Sequence, residues 1–284
     1  MIKYIKRKDL DVEKYNYCIE NSLQSRIYAF SWYLDIVATN WDVLVLNDYK
    51  AVMPIPWKKK YGIKYVTQPV FCQQLGVFSA NEQKEEVIIQ FLNKVPKTFL
   101  KVSLNIKQIV NVSGKTKILK NYVLPLHKEY AAIKKDFSKG RKHAIKVGEK
   151  HNLQAKEVSF KSLLDVYHKH YQYKISEEIL SELYSFLLKD KKAILLGVFK
   201  DDVFLGGAIF TKTTTRITYL FAAFSKEGRA LQASSYLLNN VINTYQKTKT
   251  VLDFEGGNIT SIGKFYRSFN AVEENYIVFE SSLL

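Results

Sequence analysis

The stretch VLDFEGGNITSIGKFYRSFNA, residues 251–271, gathers side chains able to do proton-transfer chemistry. Asp253 and Glu255 occupy alternate positions of a short hydrophobic segment. In a strand, alternate side chains share one face. Two carboxylates at a strand end can orient an attacking amine or take its proton. Gly256 and Gly257 follow and let the chain turn. Residues 259–269 then read as a helix, in which Tyr266 offers a phenol as general acid and Phe265 and Phe269 pack against a sheet. A structural reading competes for the carboxylates: they cap that helix or pair with Arg216 or Arg267. For Asp253 the structural role is favoured.

A second cluster follows the hydrophobic strand 217–224. A short polar loop leads into a helix near Gly228, with Arg229, Gln232, Ser234 and Ser235 as further donors. The first amides of a helix are unpaired and electropositive, so they suit a phosphate. Backbone amides near 222–224 and at Gly228 are the expected holders of a developing oxyanion.

In KKDFSKGRKHAIKVGEKHNL, Lys135, Lys139, Lys142, Lys146 and Lys150 recur at helical spacing and form a basic stripe. Gly140 weakens that helix, which is expected to begin at Ser138. Arg141 and Lys142 are the expected phosphate contacts. A solvated basic face is the plainer alternative. In the first half, Gln68, Gln73 and Gln74 flank an extended apolar segment and could read amides of an acceptor. Trp57, followed by Lys58, Lys59 and Lys60, makes an aromatic and basic patch suited to a nucleotide or phosphate. It also fits a hairpin tip in solvent.

These groups need elements to position them. The apolar spacing predicts helix over 15–40, then a strand pair turning at Asn47-Asp48, an extended stretch broken by Pro69, an amphipathic helix over 81–95 and a strand at 101–106. The second half repeats that order. Two helices, the later one capped at Ser176, precede three strands over 193–224 with turns at Asp201-Asp202 and Thr213–Thr215. A helix from Gly228, strand 250–256, helix 261–270 and a last strand at 273–281 follow. The expected fold is α/β (α+β), with lobes at 1–124 and 125–284, each a mixed central sheet flanked by helices.

The chain has 284 residues, 47% hydrophobic and 14% aromatic, enough for packed cores. Its net charge of +16 favours anionic partners: phosphates, nucleic acid, nucleotide-linked substrates or acidic lipid. Nine basic and three acidic residues fall between 128 and 156, so charge concentrates at the junction. Cys18 and Cys72 make no disulfide framework, no Cys/His spacing suits zinc, and His168 and His170 cannot share a helix face. No metal is expected. The N-terminus lacks a signal-peptide core, and no apolar run reaches the ~18 residues of a membrane span. A cytoplasmic protein without integral membrane contact is expected, its oligomeric state left open.

Residues 193–279 resemble a GNAT-type acyltransferase lobe: central strand, phosphate loop and helix, next strand, then a helix with FYRSFNA, similar to the FY.K.GF element of that fold. KGRKHAIKVGEKHNL resembles the K.R..I..A...G segment of Fem-type aminoacyltransferases. YLFAAFSKEGRALQASSYLLNNVI followed by LDFEGG, and AFSWYLDIVATNW with YVTQPVFCQQLG, are similar to their two lobes. The resemblance spans nearly the whole chain and implies two tandem GNAT-like lobes. It also implies transfer of an aminoacyl or acyl group to an amine on a cell-wall precursor peptide or another envelope acceptor. The donor would be aminoacyl-tRNA or acyl-CoA, with no tightly bound cofactor and an anionic, amine-bearing acceptor. Two departures bear on the donor. EGRALQA keeps only Gly228 of the glycines of a coenzyme A loop, and the helical hairpin that some Fem enzymes use for tRNA is missing. A non-catalytic nucleic-acid-binding protein, or a scaffold that kept only the fold, are the alternatives.

Overall fold

A computed structural model of the chain describes residues 1–108, 110 and 115–282. Contacts divide it into two units, residues 1–120 with 275–284, and residues 121–274. The first unit contains β1 (Ile2–Lys6), α1 (Val12–Glu20), α2 (Ser31–Val37), β2 (Asn40–Leu46), β3 (Ala51–Lys60), β4 (Ile63–Val66), α3 (Glu85–Asn93), β5 (Phe99–Ile106) and β6 (Lys115–Leu119). The second contains β7 (Tyr122–Pro125), α4 (Tyr130–Lys135), α5 (Lys139–Lys150), β8 (Gln154–Glu157), α6 (Phe160–His170), α7 (Glu177–Lys189), β9 (Ala193–Lys200), β10 (Val203–Lys212), β11 (Arg216–Phe224), α8 (Lys226–Ala230), α9 (Ala233–Thr244), β12 (Val251–Asp253), α10 (Thr260–Arg267) and β13 (Val272–Glu273). The last strand, β14 (Tyr276–Ser282), returns to the first sheet.

Among the described residues each unit has one mixed seven-stranded sheet, ordered β1-β2-β3-β4-β5-β14-β6 and β13-β7-β12-β11-β10-β9-β8. The expected mixed α/β lobes are therefore present, but the expected boundary shifts. A cut after 124 would fall inside β7, which pairs with β12 and β13 of the second sheet. The closing strand, expected in the second lobe, lies between β5 and β6 of the first.

In the first unit, Ile88, Phe91 and Leu92 bury one face of α3 over Leu104, Ile106, Ile277 and Phe279. The helix expected over 15–40 is α1, a 3-10 turn at Ile27–Ala29 and α2, with Tyr15, Tyr28 and Tyr33 fully buried. In the second unit, α5 starts at the expected cap, where the Arg141 amide donates to Ser138 Oγ. Its lysine stripe is outward, while Ala144, Ile145 and Gly148 face inward. The turn between β9 and β10 has Asp201 and Asp202 at positive φ, as their sequence suggested. The helix expected from Gly228 is broken: Gln232, at φ +62°, separates α8 from α9.

Candidate active site

The second sheet opens at its centre. β11 and β12 run parallel and pair only from Arg216↔Val251 to Thr218↔Asp253. β11 continues to Phe224, whereas the chain after Asp253 turns away. Two features drive the parting. Pairing of β10 with β11 steps from Ile209↔Phe221 to Phe210↔Tyr219, leaving Leu220 as a bulge that bends the strand. On the other side, Glu255 is left-handed at φ +53°, and Gly256 and Gly257 follow at +129° and +137°. Residues 219–222 are half-buried between fully buried stretches, so this part of β11 lines an opening.

A buried ionic cluster fixes the fork. Asp253, 0% exposed, accepts from Arg216 at 2.6 Å, Asn121 Nδ2 at 2.9 Å and the Glu255 amide at 2.9 Å. The Gly256 amide donates to Asn121 Oδ1 at 2.8 Å, and Arg216 also reaches Glu274 at 3.4 Å. Asn121 and Glu274, the first and last residues of the unit, exchange backbone hydrogen bonds. A charge this buried is tolerable only with its partners satisfied. Asp253 thus holds the fork together, the structural role favoured for it over the catalytic one. The shared-face expectation for Asp253 and Glu255 fails, because β12 ends at Asp253 and Glu255 leaves the strand conformation. Asn121 gave no signal in the sequence. Only the antiparallel pairing of β7 with β12 brings it to Asp253.

Glu255 and Tyr266 remain as the chemistry-bearing pair. Glu255 is half-buried at the mouth of the fork. Tyr266 is 8% exposed, its ring stacked on Phe254 at 4.7 Å. Burial raises its phenol above the ordinary tyrosine value, and the nearby charges of Glu255 and Asp253 add to the rise. Burial likewise raises Tyr219, which neighbours Tyr266 and Tyr171. Tyr266 therefore keeps its proton through neutral pH, the state a general acid requires. Close packing sets α10 in place: a β-carbon on Gly257 would lie 2.4 Å from the Tyr122 ring, and one on Gly263 2.5 Å from the Gly257 carbonyl. At its other end the Ser138 amide donates to the Ser268 carbonyl at 2.9 Å.

Arg141 and the loop residues expected to bind the donor are largely committed to the protein itself. Arg141 lies over Phe265 and Phe269, at 4.1 and 4.6 Å, and donates to Ser268 Oγ at 2.8 Å and to Ser235 Oγ. Burial pulls its guanidinium down to about 10. It pins α5 to α9 and α10. Lys142 is half-buried and donates to the Lys135 carbonyl. Gly228 is needed for packing: a β-carbon there would sit 2.5 Å from the Leu205 carbonyl oxygen. Its amide donates to Ser225 Oγ at 2.9 Å. Arg229 holds the Phe224 carbonyl at 2.6 Å, and Tyr171 Oη accepts the Phe224 amide at 3.1 Å. Two amides expected to hold an oxyanion, Phe224 and Gly228, are therefore occupied. The amide of Ala222 shares the edge of β11 that Phe224 presents. Gln232 accepts from Ser235 Oγ at 3.3 Å, and Ser234 is half-buried in the first turn of α9.

The residues expected to read the acceptor all lie in the first unit. There β4 and β5 form the parallel pair, and β4 ends at Val66. The segment beyond it fills the gap. Gln68 Nε2 donates to the Cys72 carbonyl at 2.7 Å, and Gln68 Oε1 accepts the Asn105 amide at 3.1 Å. Asn105 Nδ2 donates to the Gln73 carbonyl at 2.7 Å. Gln74 is fully buried and donates to Gln73 Oε1 at 2.8 Å. Gln74 is thus part of the interior of its own lobe, while Gln68 and Gln73 are half-buried and hydrogen-bonded to the chain beside them. Trp57 Nε1 donates to Asp42 at 2.8 Å, and its ring borders an open cavity of about 410 Å³ edged by Lys6, Arg7 and Lys8.

Two mixed sheets in tandem, one opening where its parallel central strands part, define the tandem GNAT architecture. No known family profile matches the sequence, and no curated protein matches it. Among solved structures it is similar to FemX, with a TM-score of 0.70 at 10% identity over 98% of this chain and 97% of that one. It is also similar to the C-terminal domain of a putative lysylphosphatidylglycerol synthetase from Agrobacterium fabrum, with a TM-score of 0.59 at 11% identity, covering 95% and 91%. A tandem GNAT protein from the clavulanic acid biosynthesis pathway aligns with a TM-score of 0.53 at 8% identity, covering 99% and 98%. Likeness at these identities establishes the fold.

Proposed function

We propose that this chain is an acyltransferase that carries an aminoacyl or acyl group to an amine acceptor, with a peptidoglycan-precursor peptide or another envelope molecule as acceptor. The observation that carries this reading is the parting of β11 and β12 past Thr218 and Asp253, with Glu255 half-buried there and the buried Tyr266 close to it. In this reading the acceptor amine attacks the donor carbonyl directly. Its nitrogen bonds to the carbonyl carbon, and the charge formed on oxygen is met by the Ala222 amide. Glu255 takes the proton released by the nitrogen. The bond to the leaving group breaks as Tyr266 gives that group its proton, and Glu255, close to Tyr266, returns one to the phenol.

A phenol kept protonated suits an alkoxide, which needs a proton to leave far more than a thiolate does. Both the Phe224 amide and the Gly228 amide are occupied, which disfavours the contacts a coenzyme A thioester would seek there. An aminoacyl-tRNA ester is therefore the favoured donor and acyl-CoA the second, each arriving as substrate rather than as a resident cofactor.

The test is transfer to an amine-bearing peptide from aminoacyl-tRNA and from acyl-CoA donors in parallel. Glu255→Gln and Tyr266→Phe should each lower kcat by about 10²–10⁴-fold with the fold intact. Full activity in both variants overturns the site. Salt-steep RNA binding with no turnover from any donor overturns the enzyme in favour of a nucleic-acid-binding protein.

A further inference from the structure

The β3–β4 hairpin of the first unit is costly in three local ways. Its turn places Tyr61 at φ +50° and Gly62 at φ +82°. The first of these positions suits Asn, Asp or Gly, and a bulky side chain there is strained. Tyr61 nonetheless stands 91% exposed, so burial offsets none of that strain. Ile63 beside it is 48% exposed. Lys59 and Lys64 face each other across the two strands, a like-charge pair that weakens a hairpin. Lys58, Lys59, Lys60 and Lys64 are all exposed, and the sequence holds no Asp or Glu from Tyr49 to Asn81.

We infer that this hairpin tip docks on an anionic phospholipid surface. The three costs share that one remedy. Tyrosine settles at the headgroup level, where its ring is dry and its hydroxyl wet. A β-branched aliphatic side chain gains from the acyl boundary and has nothing to offer a nucleobase. Lysines flanking the tip can lay their stems along apolar surface while their ammonium groups reach lipid phosphates. Lys60 already lies 5.3 Å from the Tyr61 ring centre and Lys64 4.8 Å from that of Trp57. Charge alone would suit RNA equally. The exposed Tyr61 and Ile63 choose the membrane.

The experiment is co-sedimentation of the full chain with vesicles of phosphatidylcholine alone and of an equal mixture with phosphatidylglycerol. Binding is expected to the mixture only. Tyr61→Asn with Ile63→Thr keeps the turn and strand preferences, so the double variant should melt no lower than the parent. It should bind the mixed vesicles at least about tenfold more weakly, because tip burial drives part of the partition. Lys58→Gln, Lys59→Gln and Lys60→Gln together should cost roughly a hundredfold, about fivefold for each lysine near an anionic leaflet. Tyr61→Trp should show a blue-shifted emission on mixed vesicles. Unchanged vesicle binding by the Tyr61/Ile63 variant overturns the inference. So does displacement of the parent chain by generic RNA with no emission shift, which would make the hairpin a nucleic-acid surface. The vesicle assay needs no turnover, so its outcome is separate from that of the transferase assay.

Discussion

Asp253 and Glu255 stand two residues apart, yet the fold assigns them opposite environments. The Asp253 carboxylate is shared among Arg216, Asn121 and a backbone amide, while Glu255 sits half-buried beside Tyr266. Asp253→Ala would leave Arg216 buried without its nearest counter-charge, and the expected loss is about 3–5 kcal/mol in urea unfolding. Tyr266 gives a pH prediction. Its phenol is raised in the folded state, so its contribution is fully present below the unfolded value near 10 and is lost as pH climbs above it. Tyr266→Phe should make the alkaline fall of stability shallower, by at most about 1.4 kcal/mol per pH unit for one proton. A wild-type slope above pH 10 would show that the phenol ionises freely in the folded protein. The sequence picked out these residues by type and spacing. Their division of labour was hidden, because strand alternation stops applying where β12 ends and Glu255 turns left-handed.

At the scale of elements, glycines separate packing from flexibility. Gly228 and Gly140 look alike in the sequence, each near a helix start. Gly228→Ala would drive a β-carbon to 2.5 Å from the Leu205 carbonyl, backbone that cannot easily move, and should cost roughly 1–3 kcal/mol. Gly140 meets nothing within 4 Å, and Gly140→Ala should stabilise by about 0.4–1 kcal/mol. Thermal melts of the two variants should shift in opposite directions. Equal small shifts would mean that Gly228 is not held against β10. The cap at Ser138, the lysine stripe of α5 and the turn at Asp201-Asp202 were legible because each is a local preference. β6 was not, since its residues are almost all exposed and show no apolar alternation. The break at Gln232 was also invisible, as nothing in LQAS prefers the left-handed region.

At the scale of the whole molecule, the second unit is continuous in sequence and the first is not. Residues 121–274 expressed alone should unfold cooperatively. A chain truncated after Glu274 lacks β14, the strand between β5 and β6, and should lose hydrogen-exchange protection in both while β9–β11 keep theirs. Uniform loss across both sheets would show the units to be one cooperative body.

By itself the sequence determined most of the helices, the longer strands, the repeat of their order in two halves, and the nearness of Glu255 and Tyr266 to a strand end. Those follow from side-chain periodicity and from local backbone preference, which act over a few residues. Tertiary structure alone decided that β14 belongs to the first sheet, that Gln74 lies in the interior of its lobe, and that Asn121 and Arg216 hold Asp253. An exposed sheet edge or a buried carboxylate takes whichever partner the packed chain brings within hydrogen-bond reach, and those partners lie far along the chain, 37 positions away for Arg216 and 132 for Asn121.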